Sequence, residues 1–270
     1  MSEREHYEPG VPCWVETLQP DPRAAGAFYS SLLGWDIVGS GVDRGENEYL
    51  VGRLRGRDVA GIVPLPPMTT PPPAPAWATH VRVDAIERAF ERVGAAGGTV
   101  VFGPFDAPPA GRLGVVADPA GAVLCLWEPE RREGAQLVNE AGAWAMSSLS
   151  TPDPDGAIAF YGEVFGWTTE PFAIGDETMT LFRLPGYVGG EPAQPVSREV
   201  VAAMTAAPSD DAPPAWHVDF WVDDVEATAA AAAELGGAVL QAPSGSSVDA
   251  TAVLADPHGA AFAVSRVPHG

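Results

Sequence analysis

The chain has 270 residues, enough for two compact domains or one large one. Its 36 acidic residues against 15 basic ones leave a net charge of −21, which repels phosphate backbones and anionic lipid headgroups and argues against nucleic-acid or membrane partners. The two cysteines, Cys13 and Cys125, make no disulfide framework and cannot alone supply a structural zinc site.

The polar stretch 1–10 lacks the apolar core of a signal peptide, and no later run approaches the length of a membrane span. A cytoplasmic, reducing location is therefore expected. An alternating strand follows over 13–18. Asp21 then reads as a helix N-cap with Pro22 at the first helical position; Ala25, Phe28, Tyr29 and Leu32 share one face, and Gly34 ends the helix. The helix closes the signature Phe28-Tyr29 to Gly34-Trp35. Residues 64–76 form a Pro-rich linker. Pro75-Ala76-Trp77 opens a second alternating strand, and Ile86, Ala89, Phe90 and Val93 repeat the helical spacing. After Gly97-Gly98 comes a strand–turn–strand unit marked by Asp118-Pro119-Ala120-Gly121, in which Asp and Pro start the turn and Gly relieves positive φ.

Both signatures then recur in order. Asp153-Pro154 precedes Phe160-Tyr161 and Gly166-Trp167, as Asp21-Pro22 precedes the first set. Pro214-Ala215-Trp216, Gly236-Gly237 and Asp256-Pro257-His258-Gly259 repeat the second set. The Phe-Tyr pairs belong to the core by their helical spacing, and His258 is expected to be an exposed turn residue. The reading is an α+β fold of four βαβββ modules at 11–66, 75–129, 142–190 and 214–267, arranged as domains 11–130 and 142–267 joined by 131–141. The connector 186–213, with its apolar stretch 200–204, is expected to be either a lid over a pocket or a surface loop.

The Phe-Tyr…Gly-Trp helix end, the Trp-led strand ending in Val-Asp and the Asp-Pro-x-Gly turn jointly resemble the vicinal-oxygen-chelate (glyoxalase/bleomycin-resistance/dioxygenase) superfamily over nearly the whole chain. Within it the likeness is to tandem-domain actinobacterial proteins described as hydroxylase-like or glyoxalase-like. The resemblance implies that modules pair into cupped, incomplete β-barrels around a ligand pocket. It also implies that a metal, where present, is held by inward His, Glu or Gln on first and last strands. Those positions fall at Trp14, Ala78, Met146 and His217 on first strands, and at Cys125, Ala263, near Gly61, and near Gly190 or Glu191 on late ones. Such a metal needs three or four N/O donors, and only His217, Glu191 and Cys125 could contribute. No metal or other cofactor is therefore expected; a divalent metal held by His217, Glu191 and waters is the alternative.

Residues two apart on a strand share a face. Glu16 therefore follows Trp14, Asp219 and Trp221 follow His217, and His80 follows Ala78, with Trp127 near one rim. Trp14, His80, Trp127 and Trp221 are the expected contacts to a flat aromatic ligand. His217 with Asp219 or Glu16 forms the expected acid/base pair. Cys125, between Leu124 and Leu126, is a poor nucleophile. The expected function is a metal-independent enzyme of secondary metabolism, hydroxylating, cyclising or cleaving an aromatic polyketide-like molecule, as a monomer or homodimer. The alternatives are a sequestering drug- or metabolite-binding protein and a metal-dependent glyoxalase or dioxygenase. The sequence leaves open whether module one pairs with two or with four, and so whether Glu16 meets His80 or His217.

Overall fold

A computed structural model describes residues 3–39, 48–65, 73–174, 177–189, 197–207, 209, 211–245 and 250–267. The first half runs β1 (Pro12–Gln19), α1 (Pro22–Leu33), β2 (Asp36–Gly39), β3 (Leu50–Leu54), β4 (Arg57–Pro64), β5 (Ala76–Arg82), α2 (Ile86–Ala95), β6 (Thr99–Ala107), β7 (Gly111–Ala117) and β8 (Val123–Pro129). The second half repeats it as β9 (Trp144–Thr151), α3 (Pro154–Phe165), β10 (Thr168–Ile174), β11 (Glu177–Arg183), β12 (Val200–Ala206), β13 (Ala215–Val222), α4 (Val225–Glu234), β14 (Ala238–Ser244), β15 (Thr251–Ala255) and β16 (Ala261–Arg266). No described helix is long and apolar enough to cross a membrane.

Each half forms one eight-stranded sheet curled into an open cup, with orders β2-β3-β4-β1-β5-β8-β7-β6 and β10-β11-β12-β9-β13-β16-β15-β14. The central seams are the antiparallel pairs β1–β5 and β9–β13. Module one therefore pairs with module two, and Glu16 shares a sheet with His80 rather than with His217. The stretch 200–204 is neither lid nor loop. It forms part of β12, parallel to β9 with Ala203 opposite Ser148, as Gly61 on β4 lies opposite Glu16. Its short apolar run reads equally as a connector or a buried strand, and pairing with β9 decides it. The fourth strand of module three thus lies beyond Gly190 and Glu191, which fall outside the described residues.

Local chemistry sets the helices as the caps predict. Asp21 accepts from the Arg23 and Ala24 N–H groups at 3.0 Å each, and Gly34 takes the left-handed conformation at φ 75°. Asp153 and Gly166 do the same for α3. The helices and the convex sheet faces enclose one continuous core. Phe28, Tyr29, Trp35 and Trp77 from the first half meet Phe220 and Phe262 from the second at ring separations of 5.0–6.4 Å. Edge-to-face pairs add roughly 0.5–1.5 kcal/mol beyond area burial. Phe160 rests where a side chain on Gly98 would stand, since a Cβ there would lie 2.6 Å from its ring.

The Asp-Pro turns join the halves. Asp118 closes its own turn by accepting from the Gly121 and Ala122 N–H groups, and its other oxygen accepts from the Tyr161 hydroxyl at 3.0 Å. Asp256 repeats this with the His258 and Ala260 N–H groups and the Tyr29 hydroxyl at 3.0 Å. Trp77 and Trp216 donate to those tyrosine oxygens at 3.0 and 2.9 Å. His258 is accordingly not an exposed turn residue; it is half-buried, with its Nδ1 2.8 Å from Gln19 Oε1. Trp35 and Trp167 each donate to a glycine carbonyl leading into the other half, Gly142 and Gly10, at 2.7 Å.

Removing the Tyr29 hydroxyl leaves the buried Trp77 indole N–H without its acceptor and takes one of two donors from Asp256 Oδ2, which keeps Gln19 Nε2. Tyr29→Phe should cost about 1–3 kcal/mol, read in urea as a lower unfolding midpoint with unchanged m-value. An unchanged midpoint would remove the bridge from the stabilising contacts.

Candidate active site

The two concave faces hold equivalent registers and different chemistry. In the first cup Trp14 lies opposite His80, which lies opposite Cys125, while Glu16 lies opposite both Gly61 and Ala78. Trp14, Glu16, His80 and Trp127 do come together, but they meet one another rather than open space. Their exposures are 4%, 9%, 2% and 9%. The Tyr49 hydroxyl sits between Glu16 Oε2 and the Trp14 indole N–H, 3.0 Å from each. It also occupies the space of a side chain at position 61, where a Cβ would lie 2.3 Å from it. From the linker, Arg132 lies 4.8 Å over the Trp14 ring and donates to Asp58 at 2.6 Å, while its carbonyl accepts from Trp127. Cation–π stacking and a charge-assisted bond thus seal the cup.

Inside it, His80 Nε2 lies 3.3 Å from Glu16 Oε1. Burial pulls the imidazole pKa down, but Cys125 and Glu16 outweigh it and hold the ring up at about 10. Burial likewise opposes the Glu16 carboxylate, and His80, Tyr49 and Arg132 overcome it, so its pKa lies below the usual value. This is a closed ion pair within a polar core.

The second cup puts Ser148 where the first has Glu16, Met146 for Trp14, Ala203 for Gly61, His217 for Ala78, Asp219 for His80, Ala263 for Cys125 and Ser265 for Trp127. Small residues replace the groups that fill the first cup, and this one is open. His217 is exposed; Met146, Ser148, Asp219, Ala263 and Ser265 are half-buried; Trp221 is buried beside Ser265.

His217 and Asp219 lie two residues apart on this wall without forming a pair. The Asp219 carboxylate accepts from the Ser265 hydroxyl rather than from the imidazole, its Oδ1 is buried without a partner, and His217 makes no hydrogen bond to a described residue. The expectation that Asp219 or Glu16 orients His217 is therefore corrected: Asp219 is engaged across the ladder by Ser265, and Glu16 lies in the other sheet. What the wall does instead is tune them separately. Burial raises the Asp219 pKa to about 7 against a small opposing effect of Ser265, and it lowers that of His217. At neutral pH the wall offers a carboxyl group able to donate and an imidazole able to accept.

The residues do not fit the divalent metal that the family resemblance implies. The second cup aligns His217 and Asp219 with Ala203, Ala263 and Ser148, two good donors where three or four are needed. The first has its fourth position filled by Tyr49 and its Glu16 committed to His80. Among the described residues no group of three or more His, Cys, Asp or Glu side chains could hold a metal. Ser148 and Ser265 were within reach of the strand alternation, two residues on from Met146 and Ala263. Nothing in the sequence marks Tyr49 or Arg132, which reach the first cup from a strand approach and the linker.

The sequence matches the glyoxalase-like domain family twice, over residues 14–127 and 146–265. It is 39% identical over 269 residues to a Mycobacterium tuberculosis (strain CDC 1551 / Oshkosh) protein bearing the provisional name glyoxylase CFP32, covering 98% of each chain. It is 30% identical over 275 residues to the anthracycline biosynthesis protein DnrV of Streptomyces peucetius, covering 98% of this chain and 96% of that one. Among solved structures it is similar to the Mn(II)-bound glyoxalase of Novosphingobium aromaticivorans. The TM-score is 0.63 at 16% identity, covering 96% of this chain and 83% of that one. It is likewise similar to the 2,3-dioxygenase LapB of Pseudomonas sp. KL28, with a TM-score of 0.61 at 14% identity, covering 97% and 94%. At those identities the structures speak for the fold alone.

Because the folded pKa of Asp219 is raised, its contribution to stability is complete below the unfolded value of about 4. It is lost as the pH rises through about 7. The stability gained by Asp219→Asn should therefore grow with pH across that window and level off above it, read as the melting-temperature difference between variant and parent. A difference independent of pH would show that Asp219 titrates normally.

Proposed function

The chain belongs to the glyoxalase-like family of the vicinal-oxygen-chelate superfamily, and from that premise we propose that it is a metal-independent enzyme acting on an aromatic, polyketide-like molecule bound in the second cup. The observation that carries the reading is the pair of titratable groups on one open wall, an acid and a base whose uncharged forms burial favours in each case. His217 takes a proton from a ligand hydroxyl or an activated C–H, and neutral Asp219 donates to the carbonyl oxygen where negative charge develops. Such enolising proton transfer serves a cyclisation or lyase step, or a hydroxylation in which dioxygen is the oxidant and the electron-rich ligand itself supplies the electrons that reduce the second oxygen atom to water. Trp221 borders the site, and Met146 and Ser148 face it across the seam. The similarity to relatives named for anthracycline biosynthesis directs the ligand class to fused, flat ring systems bearing carbonyl and hydroxyl groups.

A second reading has its own observation. Among the described residues His217 has no orienting partner of the kind that fixes the tautomer in most acid/base dyads, which favours a protein that sequesters its ligand without turnover.

Tryptophan fluorescence titrated with anthraquinones and anthracyclinones, alongside product analysis over time, separates the readings. The enzyme reading predicts binding and product from the parent. His217→Ala should lose product formation by about 100-fold or more while its Kd stays within a few-fold. Binding without product supports sequestration. Stoichiometric metal in protein purified without chelator, or no affinity for any of these ligands, contradicts both.

A further inference from the structure

Beside the second cup lies a small cavity of about 70 Å³ between the N-terminal tail, the start of β9 with the segment leading into it, and the start of β12 with the stretch before it. One water centre needs roughly 10–15 Å³, so the cavity admits a polar group of a few heavy atoms. Met146 is the wall shared with the cup, since it lines the cavity and lies directly opposite Asp219 in the seam.

The cavity offers donors. Trp144 lines it and is 94% buried by its 6% exposure; its indole nitrogen is itself shut off from solvent and has no partner among the described residues. The contrast with its neighbours is informative: Trp14, Trp35, Trp77, Trp127, Trp167 and Trp216 all donate to a named oxygen. A buried donor costs about 1–3 kcal/mol when left unpaired, and an indole N–H can only donate. Its position is built, because Asn139 takes the left-handed conformation at φ 57° and its N–H closes a turn onto the Trp144 carbonyl at 3.0 Å. Arg4 is the one charged residue among the described lining, held by its backbone N–H on Gln136 and its guanidinium on the Gly189 carbonyl. In a chain of net charge −21, a cavity whose described lining holds a guanidinium and no carboxylate stands apart from the bulk surface.

We propose that this cavity is a carboxylate subsite of the second cup, in which Arg4 and the Trp144 indole N–H receive an anionic group carried by the aromatic ligand whose rings lie against His217 and Asp219. The guanidinium supplies charge-assisted bonds and the indole a single directed one. The inference rests on reading the second cup as the ligand site, and it adds what that reading lacks, a means of choosing among flat ligands by their acidic substituent.

Anthraquinone-2-carboxylate and its methyl ester serve as paired probes on the full-length protein. The subsite predicts that the acid binds about tenfold or more tightly than the ester. Arg4→Gln, on a half-buried tail residue, and Trp144→Phe should each erase most of that preference while leaving the ester's affinity unchanged. In a 15N spectrum the Trp144 indole resonance, identified by its loss in Trp144→Phe, should move downfield with the acid and not with the ester. Equal affinity for the two probes, or a preference surviving both substitutions, overturns the subsite while leaving the cup reading intact. Failure of both probes to bind overturns the cup reading and the subsite with it.

Discussion

The structure depends on two carboxylates, each of which completes its own turn and hydrogen-bonds to the other half. Asp118 and Asp256 use one oxygen for backbone N–H groups and the other for Tyr161 and Tyr29. A buried carboxylate with an empty oxygen is expensive, so neither turn is satisfied until the opposite half docks. That requirement draws Trp77 and Trp216 onto the same tyrosine oxygens and brings Phe220 and Phe262 against Trp77 and Phe28. Four modules therefore share one core, and with the convex faces engaged in it, both cups are left facing outward.

Duplication then allows the cups to diverge. The register is common, so the outcome is set by what occupies it. Tyr49 and Arg132 turn the first cup into a sealed polar core around Glu16 and His80. Ser148, Ala203 and Ala263 leave the second one open around His217 and Asp219. Burial without an ionic partner is what raises Asp219, whereas the buried His80 has Glu16 beside it and stays charged. The same register position on the same fold yields a buried ion pair in one half and a titratable acid in the other.

Much of this was legible in the sequence. The repeated Phe-Tyr…Gly-Trp and Asp-Pro-x-Gly signatures carry the α+β fold, the four modules and the helix caps, because capping and turn chemistry are local. The alternation placed Trp14, Glu16, His80, His217, Asp219 and Trp221 on concave faces. What escaped was non-local. Pairing of 200–206 with β9 depends on a partner over fifty residues away, the link from His258 to Gln19 crosses the whole chain, and closure of the first cup needs a linker arginine. Whether a face is open or filled depends on residues from elsewhere in the chain, which strand periodicity does not report.

The most direct measurement is a crystal structure of the protein with anthraquinone-2-carboxylate. Ligand density against Ser148, His217 and Asp219, with the first cup still closed by Tyr49 and Arg132, is the predicted result. Density between Trp14 and His80, with Arg132 displaced, would contradict it and make the sealed cup the functional one.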